Sequence, residues 1–263
     1  MNDERMNVRK IMKFLLALCV IASSPIVLHG NAEAAIPRSF SEPIDLGHPV
    51  QNVSMFDSAF GVEDGRQVMY STIPGSPAMF NVIDLETNQV LRVIPLEGAY
   101  DSWTHLTAKD GSVYIGTSPN GGLYRYSPVT KEVERYTFGV RSLLGLSQDE
   151  EGNIYGGTYS GGKAFKFDPK TGQFTDFGEV KAKQEYTRTA YYNGHLYVGY
   201  GTVGGIAKLN VTTGEKADIE LPEVFDGVAV STVSNIDIAG KYLFAGLNGD
   251  LYIYDTEQET WLD

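Results

Sequence analysis

The sequence is poor in cysteine, histidine and positive charge. Its single cysteine, Cys19, excludes an internal disulfide framework. Its four histidines are scattered and form no H-x-x-x-H pair, so no metal site is expected. Lys and Arg number 21 against 33 Asp and Glu, a formal charge of −12. That balance argues against nucleic acid or an anionic membrane as partner, since both select concentrated Lys and Arg. No G-x-S-x-G elbow, P-loop or EF-hand loop is present. Asp168–Gly172 (DPKTG) is acidic but lacks the ligand spacing of a calcium loop. The Gly-Gly doublets join strand to strand, so no helix N-terminus waits there for a phosphate.

Long apolar runs are missing except near the start. Lys13 is followed by Phe14–Leu28 (FLLALCVIASSPIVL) and then by the small-residue tripeptide Ala32-Glu33-Ala34. A basic start, a short apolar core and an A-x-A site are the parts of a secretory signal peptide. Cleavage after Ala34 is expected, giving a secreted or cell-surface protein with no membrane span. The run is short and holds Pro25, which suits it poorly to a bilayer core of about 30 Å. Cys19 lies inside it, so the exported part has no cysteine and no disulfide. Its stability must come from burial and strand pairing.

What is abundant is glycine (29 residues) and aromatic side chains (11%), a combination that suits strands and tight turns. Five segments align: DGRQVMYSTIPGSPAMFNVIDLETNQVLRVIPL (64–96), DGSVYIGTSPNGGLYRYSPVTKEVERYTF (110–138), EGNIYGGTYSGGKAFKFDPKTGQFTDFG (151–178), NGHLYVGYGTVGGIAKLNVTTGEKADIEL (193–221) and GKYLFAGLNGDLYIYDTEQETWLD (240–263). Their leading glycines, Gly65, Gly111, Gly152, Gly194 and Gly240, are 46, 41, 42 and 46 residues apart. Asp110-Gly111, Glu151-Gly152 and Asn193-Gly194 are of the kind that closes a two-residue hairpin. An alternating strand follows each, then a Gly-rich bend, an aromatic-alternating strand (LYRYSP, AFKFDP, LYIYDT), a polar turn and a short last strand. One more strand precedes the leading glycine in four units: HLTA (105–108), LLGLS (143–147), TAYY (189–192) and NIDIA (235–239). No segment carries a helical period. Four short antiparallel strands repeated every 40–50 residues predict an all-β fold, a β-propeller over residues 35–263 with about five four-stranded blades.

The Gly-His and Trp-Asp pairs of WD40 blades are absent, and the Gly-Gly doublets sit before the third strand rather than where kelch repeats place them. The pattern Gly-x-hydrophobic-Tyr-x-Gly-Thr…Gly-Gly-x-x-Tyr/Phe-x-Tyr/Phe-x-Pro-x-Thr-Gly resembles the blades of secreted bacterial PQQ-like and virginiamycin-B-lyase-like propellers. The resemblance covers residues 45–263 at the level of blade consensus. Those families include quinone enzymes, lyases and inert scaffolds, so it implies the fold and leaves the function open. The tryptophan-rich docking motif of quinoprotein blades is absent, and no cofactor is expected.

Pro43–Gly47 (PIDLG) looks like the last strand of a blade and is expected to close a final blade from the front of the chain. The fifth unit, however, carries its own last strand at Thr260–Asp263, so one strand is surplus. The alternatives are a five-bladed ring closed another way and the first five blades of a ring of six to eight; the second is the expectation.

In a propeller, ligands meet the loops that lead into the innermost strands and those joining the second and third. The first set supplies Tyr100, Asp101, Trp103 and His105, then Arg141, Tyr186, Arg188, Phe225 and Asp226. The second supplies Pro119-Asn120, Tyr159-Ser160, Thr202 and Asn248. Aromatic, arginine and carboxylate side chains converging near an axis are the makeup of a funnel for a polysaccharide or a protein ligand. Two functions fit: an extracellular binding module, or a carbohydrate-active enzyme such as a polysaccharide lyase. In the lyase, Arg141 or Arg188 neutralises a uronate carboxylate while Tyr186 or His105 takes the α-proton. The lyase reading requires His105, Tyr186 and Arg188 to share one pocket.

Overall fold

The computed structural model describes residues 54–262. The expected leader, Cys19, His48 and the expected closing strand Pro43–Gly47 lie outside the described residues. Among those residues, twenty strands form five four-stranded antiparallel blades. Blade 1 is β1 (Ser58–Glu63), β2 (Arg66–Ile73), β3 (Ala78–Asp84) and β4 (Val90–Leu96). Blade 2 is β5 (Asp101–Thr107), β6 (Val113–Ser118), β7 (Gly122–Tyr126) and β8 (Val133–Thr137). Blade 3 is β9 (Ser142–Gln148), β10 (Ile154–Tyr159), β11 (Lys163–Asp168) and β12 (Gln173–Glu179). Blade 4 is β13 (Tyr186–Tyr192), β14 (His195–Gly201), β15 (Gly205–Asn210) and β16 (Lys216–Ile219). Blade 5 is β17 (Val233–Ala239), β18 (Tyr242–Leu247), β19 (Asp250–Asp255) and β20 (Thr260–Trp261). Within each blade every strand pairs with the next in sequence, and a single bridge, Tyr159 to Tyr186, joins blades 3 and 4.

Turn chemistry explains the meander. Asp64-Gly65 and Asn193-Gly194 all have positive φ (52° and 77°, 44° and 76°) and link Glu63 to Arg66 and Tyr192 to His195 with two residues. That is the backbone a twisted hairpin requires. Asp110-Gly111 and Glu151-Gly152 depart from the expectation. They lie in five-residue loops, because Asp110 and Asp149 turn their carboxylates back to accept the N–H groups of Ser112 (2.9 Å) and Asn153 (2.8 Å). Between the third and fourth strands the repeat uses one device. Asp84, Asp168, Asn210 and Asp255 each accept backbone N–H groups two or three residues ahead, at 2.8–3.0 Å. This is an Asx turn, in which a short polar side chain satisfies the backbone of the bend.

The innermost strands β1, β5, β9, β13 and β17 pack side by side in order; among the described residues no comparable packing joins β17 back to β1. Apolar side chains fill the space between each successive pair of blades. Tyr70, Phe80 and Val82 meet Val113, Ile115 and Tyr126. Tyr114 and Leu123 meet Phe165 and Phe167. Tyr155 and Ala164 meet Leu196 and Val198. Tyr197 and Ile206 meet Leu243 and Ala245. Glycine in the second strand lets the next blade approach: a Cβ on Gly157 would fall on the Thr187 carbonyl, and one on Gly199 would sit 2.5 Å from Val233 Cγ1. Blades 1 and 2 are also tied by charge. The Glu63 side chain, 2% exposed, meets Arg92 at 2.5 Å, Lys131 at 2.9 Å and the Tyr126 hydroxyl at 2.9 Å. Burial alone would raise its pKa, but these three partners hold it below the ordinary value.

Candidate functional site

A cavity of about 580 Å³ opens where the innermost strands begin and the second strands end. Four blades line it. Blade 2 supplies Asp101 and Trp103 from the first residues of β5, and blade 3 supplies Arg141, Ser142 and Tyr159. Blade 4 supplies Tyr186 and Arg188 from the start of β13, and blade 5 supplies Thr232, Val233 and Ser234.

Two of these side chains reach the cavity because their strands bulge. On β5, Ser102 and Thr104 oppose the adjacent residues Thr117 and Gly116, leaving Trp103 as the extra residue. On β17, Val233 and Asn235 oppose Leu247 and Gly246, leaving Ser234 extra. An extra residue has no ladder partner, and its side chain is re-aimed. Trp103 stacks on Phe56, with ring centroids 4.6 Å apart and planes 8° from parallel.

Electrostatically the cavity is unusual for so acidic a chain. The Arg141 guanidinium lies 5.6 Å from the centroid of the Tyr159 ring. Arg188 is largely buried, and burial pushes its pKa below the usual arginine value, while Tyr186 and Asp57 act in the opposite sense. Neither guanidinium makes a hydrogen bond or ion pair with a carboxylate among the described residues. Asp101 lines the same cavity, and among the described residues its buried Oδ1 has no hydrogen-bond partner. Burial raises its pKa, and Trp103 and Ser118 beside it offset part of the rise. The Tyr186 hydroxyl accepts the Val233 N–H at 3.2 Å, fastening blade 4 to blade 5 at the cavity wall.

Of the nine residues expected from the first set, Asp101, Trp103, Arg141, Tyr186 and Arg188 line this cavity together. Four do not. His105 has a fully buried side chain, with Nε2 2.9 Å from Thr72 Oγ1 and 3.4 Å from Ser102 Oγ, so it ties blade 1 to blade 2. Its Nδ1 lies 3.6 Å from Asp57 Oδ2, and that carboxylate also accepts the His105 backbone N–H at 2.5 Å. Tyr100, 55% exposed, lines a separate cavity of about 320 Å³ with Ser76, Pro77, Glu97 and Pro119. Asp226 follows the 3-10 turn Glu223–Phe225, donates its N–H to the Glu223 carbonyl, and is absent from the cavity lining. Phe225 packs edge-on against Tyr252, and Asn248 caps the Ser231 and Thr232 N–H groups. Among the second-strand candidates, Tyr159 lines the cavity. Ser118, Ser142, Leu144 and Thr232–Ser234 were missed, since small polar and aliphatic residues carry no chemical signature in sequence. Among the described residues no group of three or more His, Cys, Asp or Glu is placed to hold a metal ion. No helix among them is long and apolar enough to cross a membrane.

No protein-family model matches the chain, and no curated protein matches it. Solved structures do. The likeness is to virginiamycin B lyase. A crystal structure of a catalytically inactive form of that enzyme from Staphylococcus aureus, bound to quinupristin, superposes with a TM-score of 0.63 and 15% identity. The match covers 79% of this chain and 69% of the lyase chain. At that identity the likeness establishes the fold, a propeller of the virginiamycin-B-lyase type, which agrees with the resemblance read from the blade consensus.

Proposed function

We propose that this β-propeller is an extracellular binding module whose central cavity holds an anionic ligand, an acidic cell-wall or environmental polysaccharide being the class its lining suits. One observation carries the reading: Arg141 and Arg188, from neighbouring blades, face one cavity without a carboxylate bonded to either among the described residues. A largely buried guanidinium is costly unless something pairs with it, and a ligand carboxylate can do so with two parallel hydrogen bonds. Trp103, Tyr159 and Tyr186 supply flat apolar walls of the kind that pack on sugar faces, and Asp101 offers an acceptor for hydroxyl groups.

The lyase alternative needs a base beside the arginines. Of its two candidates, His105 is buried against Thr72 away from the cavity lining, and the Tyr186 hydroxyl is engaged by Val233. This favours binding over chemistry. Titration calorimetry with uronate oligomers, against neutral oligomers of equal length, tests the reading. Binding of the acidic oligomers alone is expected, weakened at least about tenfold in Arg188→Ala and falling with added salt. Equal affinity for the neutral oligomers, or an unchanged Arg188→Ala, would defeat it.

A further inference from the structure

The smaller cavity, about 320 Å³, adjoins the central one along two chain segments. Tyr100 and Asp101 are consecutive, yet Tyr100 lines the smaller cavity and Asp101 the central one. Ser118 and Pro119 divide in the same way, Ser118 to the central cavity and Pro119 to the smaller. Consecutive Cα atoms are about 3.8 Å apart, so the two cavities lie roughly one residue's width from each other. Both open at the same end of the blades. Ser76 and Pro77 follow β2, Pro119 follows β6, and Glu97–Tyr100 lead into β5.

The wall between them is held by backbone bonds. Tyr100 donates its N–H to the Ser118 carbonyl and accepts the Gly75 N–H, both at 2.8 Å, which clamps it between blades 1 and 2. The Ala99 carbonyl accepts the Ala78 N–H at 2.9 Å, and the Tyr124 hydroxyl donates to the Glu97 carbonyl at 2.6 Å. A backbone fixed in this way presents the Tyr100 ring, 55% exposed, at little ordering cost.

The two cavities differ in charge. Arg141 and Arg188 line the central one, whereas among the described residues no Lys or Arg lines the smaller. Its one charged side chain is the exposed Glu97, beside the flat apolar surfaces of Tyr100, Pro77 and Pro119. A carboxylate repels a second acid group but accepts hydrogen bonds from hydroxyl groups. Flat rings pack well on the apolar face of a neutral sugar.

We propose that the smaller cavity is a second subsite for the same ligand, holding an uncharged sugar unit joined to the acidic unit in the central cavity. This subsite rests on the anionic-ligand reading above and narrows the ligand to a polysaccharide of mixed acidic and neutral units, not a uniform polyuronate. Tyr100 packs on the neutral ring, and Glu97 accepts its hydroxyl groups while excluding a second carboxylate.

Calorimetry or ligand-observed NMR tests this with glucuronic acid, its disaccharides with glucose in either order, and diglucuronate. One glucuronate–glucose order is expected to bind about fivefold tighter than glucuronic acid, the worth of one aromatic packing contact. Diglucuronate is expected to gain nothing. Tyr100→Ala should erase the advantage, Tyr100→Phe should keep it, and Glu97→Gln should let diglucuronate share it. Arg188→Ala should weaken glucuronic acid and the mixed disaccharide in proportion. No advantage in the unaltered protein, an advantage that survives Tyr100→Ala, or an equal gain for diglucuronate would overturn the second subsite and leave the central anion site standing. Glucuronic acid that binds indifferently to Arg188→Ala, or not at all, would defeat the anionic reading and the second subsite with it.

Discussion

Arg141, Arg188 and Asp101 bring two fixed positive charges and one titratable group into the lining of one cavity. Because burial raises the Asp101 pKa above the ordinary carboxylate value, its negative charge appears only at higher pH than for an exposed aspartate. Below that raised value the carboxyl is neutral and leaves the arginines free. As pH climbs through it, the new charge opposes an anionic ligand. Affinity for acidic oligomers should therefore fall as pH rises above the ordinary carboxylate range, and Asp101→Asn should flatten the profile; an identical slope in the variant would rule Asp101 out as its source. Glu63 has the opposite sign. Its folded pKa lies below the unfolded value of about 4.3, so its stabilisation is complete above that pH and is lost as pH falls through the folded value. Glu63→Gln should cost about 2 kcal/mol at neutral pH in denaturant unfolding, with the difference narrowing in acid.

At the level of strands, the repeat was legible because turn residues and aromatic alternation recur in every blade, and β6, β10, β14 and β18 fall where the leading glycines place them. β1 was not read from sequence, since Ser58–Glu63 (SAFGVE) lacks the aromatic alternation of the later strands. The candidate site was half legible for a related reason. The sequence places Asp101, Trp103 and His105 together at the loop leading into the strand HLTA (105–108), whereas all three lie within β5. The bulge at Trp103 then sends the tryptophan to the cavity and His105 into the contact with Thr72. No composition signal marks a bulge, so neither its position nor its consequence could be read. Glycine spacing is a firmer guide. Gly157→Ala should cost about 2 kcal/mol or more in thermal or chemical unfolding, since its methyl group falls on the Thr187 carbonyl of the next blade. Tolerance of that substitution without loss would show that blades 3 and 4 can move apart.

Across the molecule, sequential strand pairing has a further consequence. Among the described residues, every hydrogen-bonded neighbour of a strand, the Tyr159–Tyr186 bridge aside, lies next to it in the chain, so these ladders are local in sequence and form early. The same arrangement grades resistance to opening. Among the described residues, blades 2, 3 and 4 are sandwiched on both sides, whereas blade 5 packs against blade 4 alone and its β20 is two residues long. Amide exchange should accordingly be fastest in β19 and β20 and slowest in β6, β10 and β14, in a gradient that follows position in the row. A molecule that exchanges uniformly would instead be unfolding all at once, and the row would behave as one indivisible unit.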